Sequence, residues 1–228
     1  MANFIKKYKH GLVISLYSII YVLLFSWLET RNVRAYHIVH TVFDDYIPFC
    51  EYFVIPYLLW FPYMFLAVFY FIFFNKNKRE YYQLTFNLMM GMTVFLIVSY
   101  IYPNAQHLRP MEFPRDNICT DLVRLLYRTD TPTNILPSIH VFNSLAIHMS
   151  VTNCEALRTK RVVRASSLCL TILIILSTMF LKQHSVIDVC MGSTLALFGF
   201  LVFYPQKTPA PQRHAVYVSA NRKKRRNY

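Results

Sequence analysis

Hydrophobic residues occur along this chain in six blocks separated by short polar stretches. The blocks cover residues 11–28, 52–74, 84–103, 135–152, 166–183 and 186–204. An α-helix rises about 1.5 Å per residue, so each block is long enough, with modest tilt, to cross roughly 30 Å of membrane hydrocarbon. The pattern therefore predicts an all-α polytopic membrane protein built as a bundle of six transmembrane helices.

The fourth block is the least apolar of the six. Its interruptions are Ser138, His140, Asn143, Ser144 and His148. Polar groups within a span are costly unless they face the bundle interior or a wet cavity, so this block is expected to carry functional residues.

Composition supports a membrane protein. Hydrophobic residues make up 55% of the 228 and charged residues 15%, whereas soluble domains are about a quarter charged. We expect one membrane domain over residues 1–205, followed by a basic cytoplasmic tail over residues 206–228. Most aromatic residues, including Tyr57 and Trp60, are expected to form interfacial belts or lipid-facing bulk.

The formal net charge of +13 raises the question of a nucleic-acid partner. Six spans put both termini on one side of the membrane. Segments on that side hold 17 of the 24 Lys and Arg residues, and segments on the other side hold nine of the 11 Asp and Glu residues. The positive-inside rule then predicts cytoplasmic termini. The charge is explained by topology, and no nucleic-acid partner is expected.

Three polar segments fall on the extracytoplasmic side in this topology. They are residues 102–110, 134–140 and 182–188. In the last of them, His184 and Asp188 are four residues apart at the predicted start of a helix and therefore share one face. A carboxylate there can accept the proton of one imidazole nitrogen, which leaves the lone pair of the other free to act as nucleophile or base.

The other two segments offer groups that bind phosphate. Pro137 is tolerated in the first turn of a helix capped by Thr133 or Asn134, and the unpaired amides beside Ser138 and His140 then form a cradle for a phosphate oxygen. Arg109 and Lys182 add the positive charge that a phosphoryl group needs. Together these residues predict a phosphoryl-transfer site that needs neither a metal nor another cofactor.

This set of motifs resembles the type-2 phosphatidic acid phosphatase superfamily, which contains lipid phosphatases and phosphotransferases. The resemblance covers residues 84–204 and keeps the order, spacing and membrane side of the family's signatures. The matching residues are Arg109-Pro110, Pro137-Ser138-x-His140 and His184-x-x-x-Asp188.

The chain departs from the family pattern at three positions. Tyr102 stands at the family's Lys, Ile139 at its Gly and Thr178 at its Arg. Relaxed cationic positions and the ending His-x-x-x-Asp-Val are similar to the branch of sphingomyelin and inositol phosphorylceramide synthases. Other groups must then meet the charge of the substrate; the candidates are Lys182, Arg115 and His107.

The resemblance implies a mechanism. His184 would attack the phosphorus of a lipid phosphate or pyrophosphate at the extracytoplasmic leaflet of the cell membrane, with Asp188 holding the ring and His140 acting as general acid and then base. Arg109, Ser138 and Lys182 would bind the phosphate. With water as acceptor the protein is a metal-independent lipid phosphatase, and with an alcohol acceptor it is a lipid phosphotransferase. An inactive scaffold or a transporter is the remaining alternative, and the sequence names neither the lipid nor the oligomeric state.

Residues 111–133 carry mixed charge, and we expect them to form a surface helix and turn that cover the site. Cys50 and Cys119 both fall in outer segments, but the sequence does not show whether they meet.

Overall fold

The computed structural model of the chain describes residues 7–204. Helices account for 71% of the structure and strands for 3%, which confirms the prediction of a predominantly helical protein. The predicted basic tail at residues 206–228 lies outside the described residues.

Eight α-helices follow one another along the described chain. They are α1 (Leu12–Thr30), α2 (Val42–Tyr46), α3 (Val54–Phe73), α4 (Lys78–Ile101), α5 (Ile118–Thr129), α6 (Ile139–Asn153), α7 (Arg161–Phe180) and α8 (Val186–Phe203). The 3-10 turns Lys9–Gly11 and Glu51–Phe53 lead into α1 and α3, and the short strands β1 (His37–Ile38) and β2 (Asn104–Ala105) pair in parallel.

Five helical segments within residues 7–204 are long and apolar enough to cross a membrane. They are Lys9–Thr30, Glu51–Phe73, Lys78–Ile101, Arg161–Phe180 and Val186–Phe203. Their outer faces carry large apolar side chains such as Leu23, Phe65 and Leu201, which are 66%, 66% and 60% exposed. Because so much contiguous apolar surface is unfavourable in water, these segments indicate a membrane protein.

The fourth predicted span forms a shorter helix than expected. Helix α6 has 15 residues, about 22 Å of rise, and is not one of the five candidate spans. It begins at Ile139 because Ser138 is its N-cap and Pro137 precedes it, so the predicted cap at Thr133 or Asn134 was wrong.

Instead of facing lipid, α6 occupies the centre of the bundle. It packs against α3, α4, α7 and α8, and side chains on all its sides are buried, including His140, Asn143, Ser144 and Ser150. Neighbouring helices keep these polar side chains out of hydrocarbon. Ser150 also bonds to the Tyr204 hydroxyl at 2.6 Å, whereas the side chains of Asn143 and Ser144 have no hydrogen-bond partner within residues 7–204.

Small residues let the neighbouring helices approach α6 closely. The ring of Phe142 fills the space where a Cβ on Gly91 of α4 would lie, so a methyl group there would overlap it. On α8, a Cβ at Gly192 would lie 2.7 Å from the carbonyl oxygen of Ser138. Two of the four glycines are thus required by the packing of one central helix.

Backbone pairing ties together the loops at the end of the bundle where α6 begins. Strand β1 follows α1 and pairs with β2, which follows α4, and Ala105 of β2 also bridges to Thr133. The side-chain oxygen of Asn104 accepts the N–H groups of Ile135 and Leu136 at 2.8 and 3.0 Å. These bonds fix the segment that leads into α6.

We predict that Gly91→Ala destabilises the bundle. The new methyl group has to displace Phe142 from a closely packed site, which costs about 1–3 kcal/mol. Thermal unfolding of the detergent-solubilised protein should show a clear drop in Tm. Gly11→Ala is the matched control, because its Cβ would meet only the flexible side chain of Ile72, at 3.1 Å. Gly91→Ala combined with Phe142→Leu should recover part of the loss, and an unchanged Tm in Gly91→Ala would contradict this packing.

Candidate active site

Two histidines face each other where α6 and α8 begin. His140 lies in the first turn of α6, and His184 lies just before Ser185, the N-cap of α8. Nε2 of His184 and Nδ1 of His140 are 3.4 Å apart, and the two residues are only 6% and 9% exposed. The sequence-predicted pair is therefore brought into direct contact inside the protein.

Asp188 completes a row of three side chains. Its Oδ2 atom lies 3.3 Å from Nδ1 of His184 and accepts the backbone N–H of Ser185 at 2.9 Å. The expectation that His184 and Asp188 share a helix face was wrong, since His184 precedes the helix. Asp188 is the third residue of α8 and reaches back across the cap. With His184 Nδ1 protonated toward this carboxylate, Nε2 is the nitrogen whose lone pair is free for chemistry.

The turn between α7 and α8 positions His184. The carbonyl oxygen of Thr178 accepts the N–H groups of both Gln183 and His184, at 2.9 and 3.0 Å. Lys182 takes a left-handed backbone conformation with φ 52°. Through its backbone oxygen, Thr178 thus folds the turn that presents His184.

Both histidines line a small cavity of about 30 Å³. This volume is sufficient for about one water molecule. The other lining residues come from α1, α4, the segment before α6, the first residue of α6 and the α7–α8 turn, and they are Phe25, Phe95, Asp130, Thr131, Thr133, Asn134, Ile135, Ile139 and Gln183.

Gln183 lines this cavity, although the sequence motifs did not indicate a role for it. Its Oε1 accepts a hydrogen bond of 2.5 Å from the guanidinium of Arg109, so its amide nitrogen is directed the other way. That nitrogen is buried and has no hydrogen-bond partner within residues 7–204. An unpaired buried donor beside a cavity suits an anionic ligand. The sequence feature that could have identified Gln183 is its position next to His184.

Arg109 is fixed behind Gln183. Its guanidinium also donates to the backbone oxygens of Tyr127 at 3.1 Å and Asp130 at 2.8 Å, and it lies 4.4 Å from the centre of the Tyr127 ring. Burial lowers the pKa of Arg109, and nearby Asp130 partly offsets the effect, but an arginine stays charged in proteins. The predicted cation is thus close to the cavity without being part of its lining.

Ser138 caps α6 and does not line the cavity. Its hydroxyl caps α6 by accepting the N–H of Val141 at 3.4 Å, and its own N–H donates to the backbone oxygen of Asp188 at 3.2 Å. These bonds join the start of α6 to the first turn of α8. The residue is completely buried and does not line the cavity.

Lys182 points away from the histidines. Its ammonium group donates to the backbone oxygen of Asp44 at 2.7 Å, and it is not among the residues that line the cavity. Burial lowers its pKa, against the opposing effect of the Asp44 and Asp45 carboxylates. The structure therefore does not bring Lys182 to the place predicted for it.

The other candidate cations do not line the cavity either. Arg115 binds both carboxylate oxygens of the buried Glu51 at 2.7 and 3.0 Å, and neither Arg115 nor His107 lines the cavity. Residues 111–133 do contain a helix, α5, and Asp130 just after it lines the cavity. All five cysteines, including Cys50 and Cys119, are free.

Two aromatic residues expected at the lipid interface instead pack against His140. The rings of Tyr57 and Trp60 lie 4.7 and 4.5 Å from the His140 ring. The Tyr57 hydroxyl donates to Asp130 at 2.9 Å, and Tyr57 is 1% exposed. Both residues belong to α3, so this helix closes one side of the site.

Asp44, which the motifs did not indicate, anchors the start of α8. Its carboxylate accepts the hydroxyl of Ser185 at 2.6 Å and the N–H groups of Val186 and Thr41 at 2.8 and 2.7 Å. Burial raises the pKa of Asp44, but the hydrogen bonds from these three residues outweigh it and hold the pKa below its ordinary value. A negative charge at a helix N-terminus is also favourable.

No group of three or more His, Cys, Asp or Glu side chains within residues 7–204 is arranged to hold a metal ion. Comparisons with protein-family models, with curated proteins and with solved structures found no match to this chain.

We predict that Asp44→Asn destabilises the protein by about 1–3 kcal/mol, because a charged acceptor of several buried hydrogen bonds is lost. The pKa of Asp44 is depressed in the folded state, so its stabilisation is complete above the ordinary value of 3.8 and disappears as pH falls through the lower folded-state pKa. Chemical unfolding at neutral and acidic pH should show the difference between wild type and Asp44→Asn shrinking at acidic pH.

The matched control for this experiment is Asp45→Asn. Its side chain is 63% exposed and forms an ion pair with His40 at 2.8 Å, so the substitution should change stability little. Equal effects of the two substitutions at neutral pH would contradict an anchoring role for Asp44.

Proposed function

We propose that this protein is a membrane lipid phosphatase that hydrolyses a lipid phosphate or pyrophosphate through a phosphohistidine on His184. The observation that carries the proposal is the buried row His140–His184–Asp188, whose two histidines line one cavity at the end of a bundle of apolar helices. An oriented nucleophile, an adjacent acid and a membrane-embedded scaffold are what phosphoryl transfer from a lipid requires.

In the first step the Nε2 lone pair of His184 forms a bond to phosphorus as the bond from phosphorus to the leaving oxygen breaks. Protonated His140 donates its proton to that oxygen, so the lipid alcohol or lipid phosphate leaves in neutralised form. Asp188 holds the proton on Nδ1 of His184 and stabilises the positive charge that develops on the ring.

In the second step His140 takes a proton from water, the water oxygen bonds to phosphorus and the phosphorus–nitrogen bond breaks. Inorganic phosphate is released, and both histidines return to their starting states. Hydrolysis is proposed ahead of transfer to an alcohol because water needs no binding site for a second substrate.

Phosphate binding would use fewer cations than the superfamily signatures contain. The unpaired amide nitrogen of Gln183 and the N-terminal amides of α6 are suitable donors to phosphate oxygens. Arg109 adds positive charge from behind Gln183, at 2.5 Å. Lys182 has no part in this binding scheme, because its ammonium group is engaged by Asp44.

The proposed topology places the site at the extracytoplasmic side of the cell membrane. The charge asymmetry of the sequence supports cytoplasmic termini under the positive-inside rule. In this arrangement α6 is a short sixth crossing that α3, α4, α7 and α8 shield from lipid. The start of α6 and the start of α8, which carry the histidines, then face outward.

We predict that His184→Ala abolishes phosphate release from lipid phosphates, with a loss of about a thousandfold or more in kcat/KM, and that His140→Ala loses about a hundredfold or more. Inorganic phosphate released from a panel of lipid phosphates by the purified protein is the measurement, and vanadate should block it. His148→Ala is the control, because His148 lies deeper in α6 and bonds Ser167 at 3.0 Å.

Wild-type rates in His184→Ala would refute the mechanism. If a lipid alcohol added to the assay receives the phosphoryl group in preference to water, the protein is a phosphotransferase instead. Inactivity of the wild type toward every lipid phosphate and every acceptor would favour a scaffold or a transporter.

A further inference from the structure

An apolar groove opens on the side of the bundle between α1 and α3. Its volume is about 550 Å³, and its floor is formed by Leu88 and Met92 of α4. The walls include Ser18 of α1 with Met64 and Val68 of α3. None of the described residues that line it is charged. The groove is therefore suited to a hydrocarbon occupant and unsuited to a polar one.

The floor of the groove continues to the catalytic cavity. Phe95 of α4 lines the cavity that contains the histidines, and Met92 and Leu88 follow it at spacings of three and four residues. Residues so spaced share one face of a helix, and Leu88 is about 10 Å from Phe95 along the axis.

Side chains on the two walls, α3 and α1, also lead from the catalytic cavity to the groove. On α3, Trp60 packs against His140 at 4.5 Å, and Met64 and Val68 follow at intervals of four residues on the same face. On α1, Phe25 lines the catalytic cavity. The rings of Tyr21 and Tyr17 stack in turn on Phe25 along the helix, toward the groove. The ring centres are 6.0 Å apart for Phe25 and Tyr21, and 6.4 Å apart for Tyr21 and Tyr17.

Three helices thus carry aromatic and aliphatic side chains from the residues beside the histidines to the residues that line the groove, although the groove and the cavity share no lining residue. The side of the catalytic cavity toward the groove is itself apolar, because Phe25 and Phe95 form it with their rings 5.9 Å apart. A small water-soluble phosphoester would gain nothing from such a wall, whereas a lipid has a chain attached to its phosphate.

We propose that the groove between α1 and α3 binds the hydrocarbon chain of the lipid whose phosphoryl group enters the catalytic cavity. This inference rests on the proposed phosphatase function and adds the substrate class, a long-chain lipid phosphate that enters sideways from the membrane. Chain contacts in the groove hold the phosphorus beside His184, so binding energy away from the reacting bond positions the substrate.

The first test measures kcat/KM for butyl, hexyl, octyl and decyl phosphate, each present as dissolved monomers. For the wild type the values should rise with chain length, by up to about fourfold for each methylene buried. Val68→Trp fills the groove and should lower the decyl-to-butyl ratio about tenfold, the equivalent of roughly two buried methylenes. Ser18→Trp, on the opposite wall, should lower the same ratio.

The matched control is Val202→Trp, the same substitution on the outer face of α8, where Val202 is 53% exposed. It should leave the decyl-to-butyl ratio at the wild-type value. Turnover that is independent of chain length, or equal ratios in Val68→Trp and Val202→Trp, would overturn the groove while leaving the phosphatase function intact.

The second test separates the groove from the chemistry. A decyl phosphate with a photoreactive diazirine at the chain end is irradiated with the protein, and the labelled peptides are identified by mass spectrometry. Labelling should fall on Met64, Val68, Leu88 or Met92 in both wild type and His184→Ala. If the wild-type protein is labelled in the groove but releases no phosphate from any lipid phosphate, the phosphatase function alone is refuted. Labelling confined to the outer faces would refute the groove.

Discussion

The polar helix α6 has to be kept away from lipid, and the rest of the bundle is arranged around that requirement. Its 15 residues include buried histidine, asparagine and serine side chains, whose exposure to hydrocarbon would cost several kcal/mol for each unsatisfied group. Helices α3, α4, α7 and α8 surround it, and glycines at positions 91 and 192 allow the close approach that this enclosure needs. The same enclosure holds His140 against two aromatic rings of α3.

The other half of the site depends on how α8 begins. Asp188 reaches back over the helix cap to Ser185 and His184, and Asp44 accepts the Ser185 hydroxyl from the opposite direction. Ser138 connects this cap to the start of α6 through its bond to the Asp188 backbone. Two helix starts that are distant in the sequence are thereby joined, and each carries one histidine. The distance between the histidines is set by backbone and cap geometry, which leaves less to side-chain flexibility.

Local patterns in the sequence predicted the apolar helices. They also predicted the contact between His184 and Asp188, but as two residues on one helix face, whereas Asp188 reaches back across the cap of α8 to a residue that precedes the helix. The meeting of His140 and His184 came only from the resemblance in motif order and membrane side. The roles of Asp44, Tyr57 and Gln183 depend on contacts with partners far away in the sequence, which periodicity does not encode. Lys182 does not line the cavity for a related reason. Its charge was visible in the sequence, but the direction of its side chain follows from the turn that carries it. The predicted fourth span was longer than α6. Hydropathy alone does not show that residues 135–138 precede the helix and end at its N-cap, Ser138.

Most of the site is fixed before any substrate arrives. Arg109 is held by three oxygen acceptors, Gln183 is oriented by Arg109, and Asp188 Oδ2 faces two donors. Fixed dipoles and charges of this kind do not have to reorganise as charge moves in the transition state, which is the main advantage of a preformed site. The exception is the contact between the histidines. Their facing nitrogens are 3.4 Å apart, which is too close for a phosphoryl group to fit between them. In the proposed mechanism, binding of a lipid phosphate therefore has to separate these two nitrogens and also to displace the apolar wall of Phe25 and Phe95, which lies on the side of the groove.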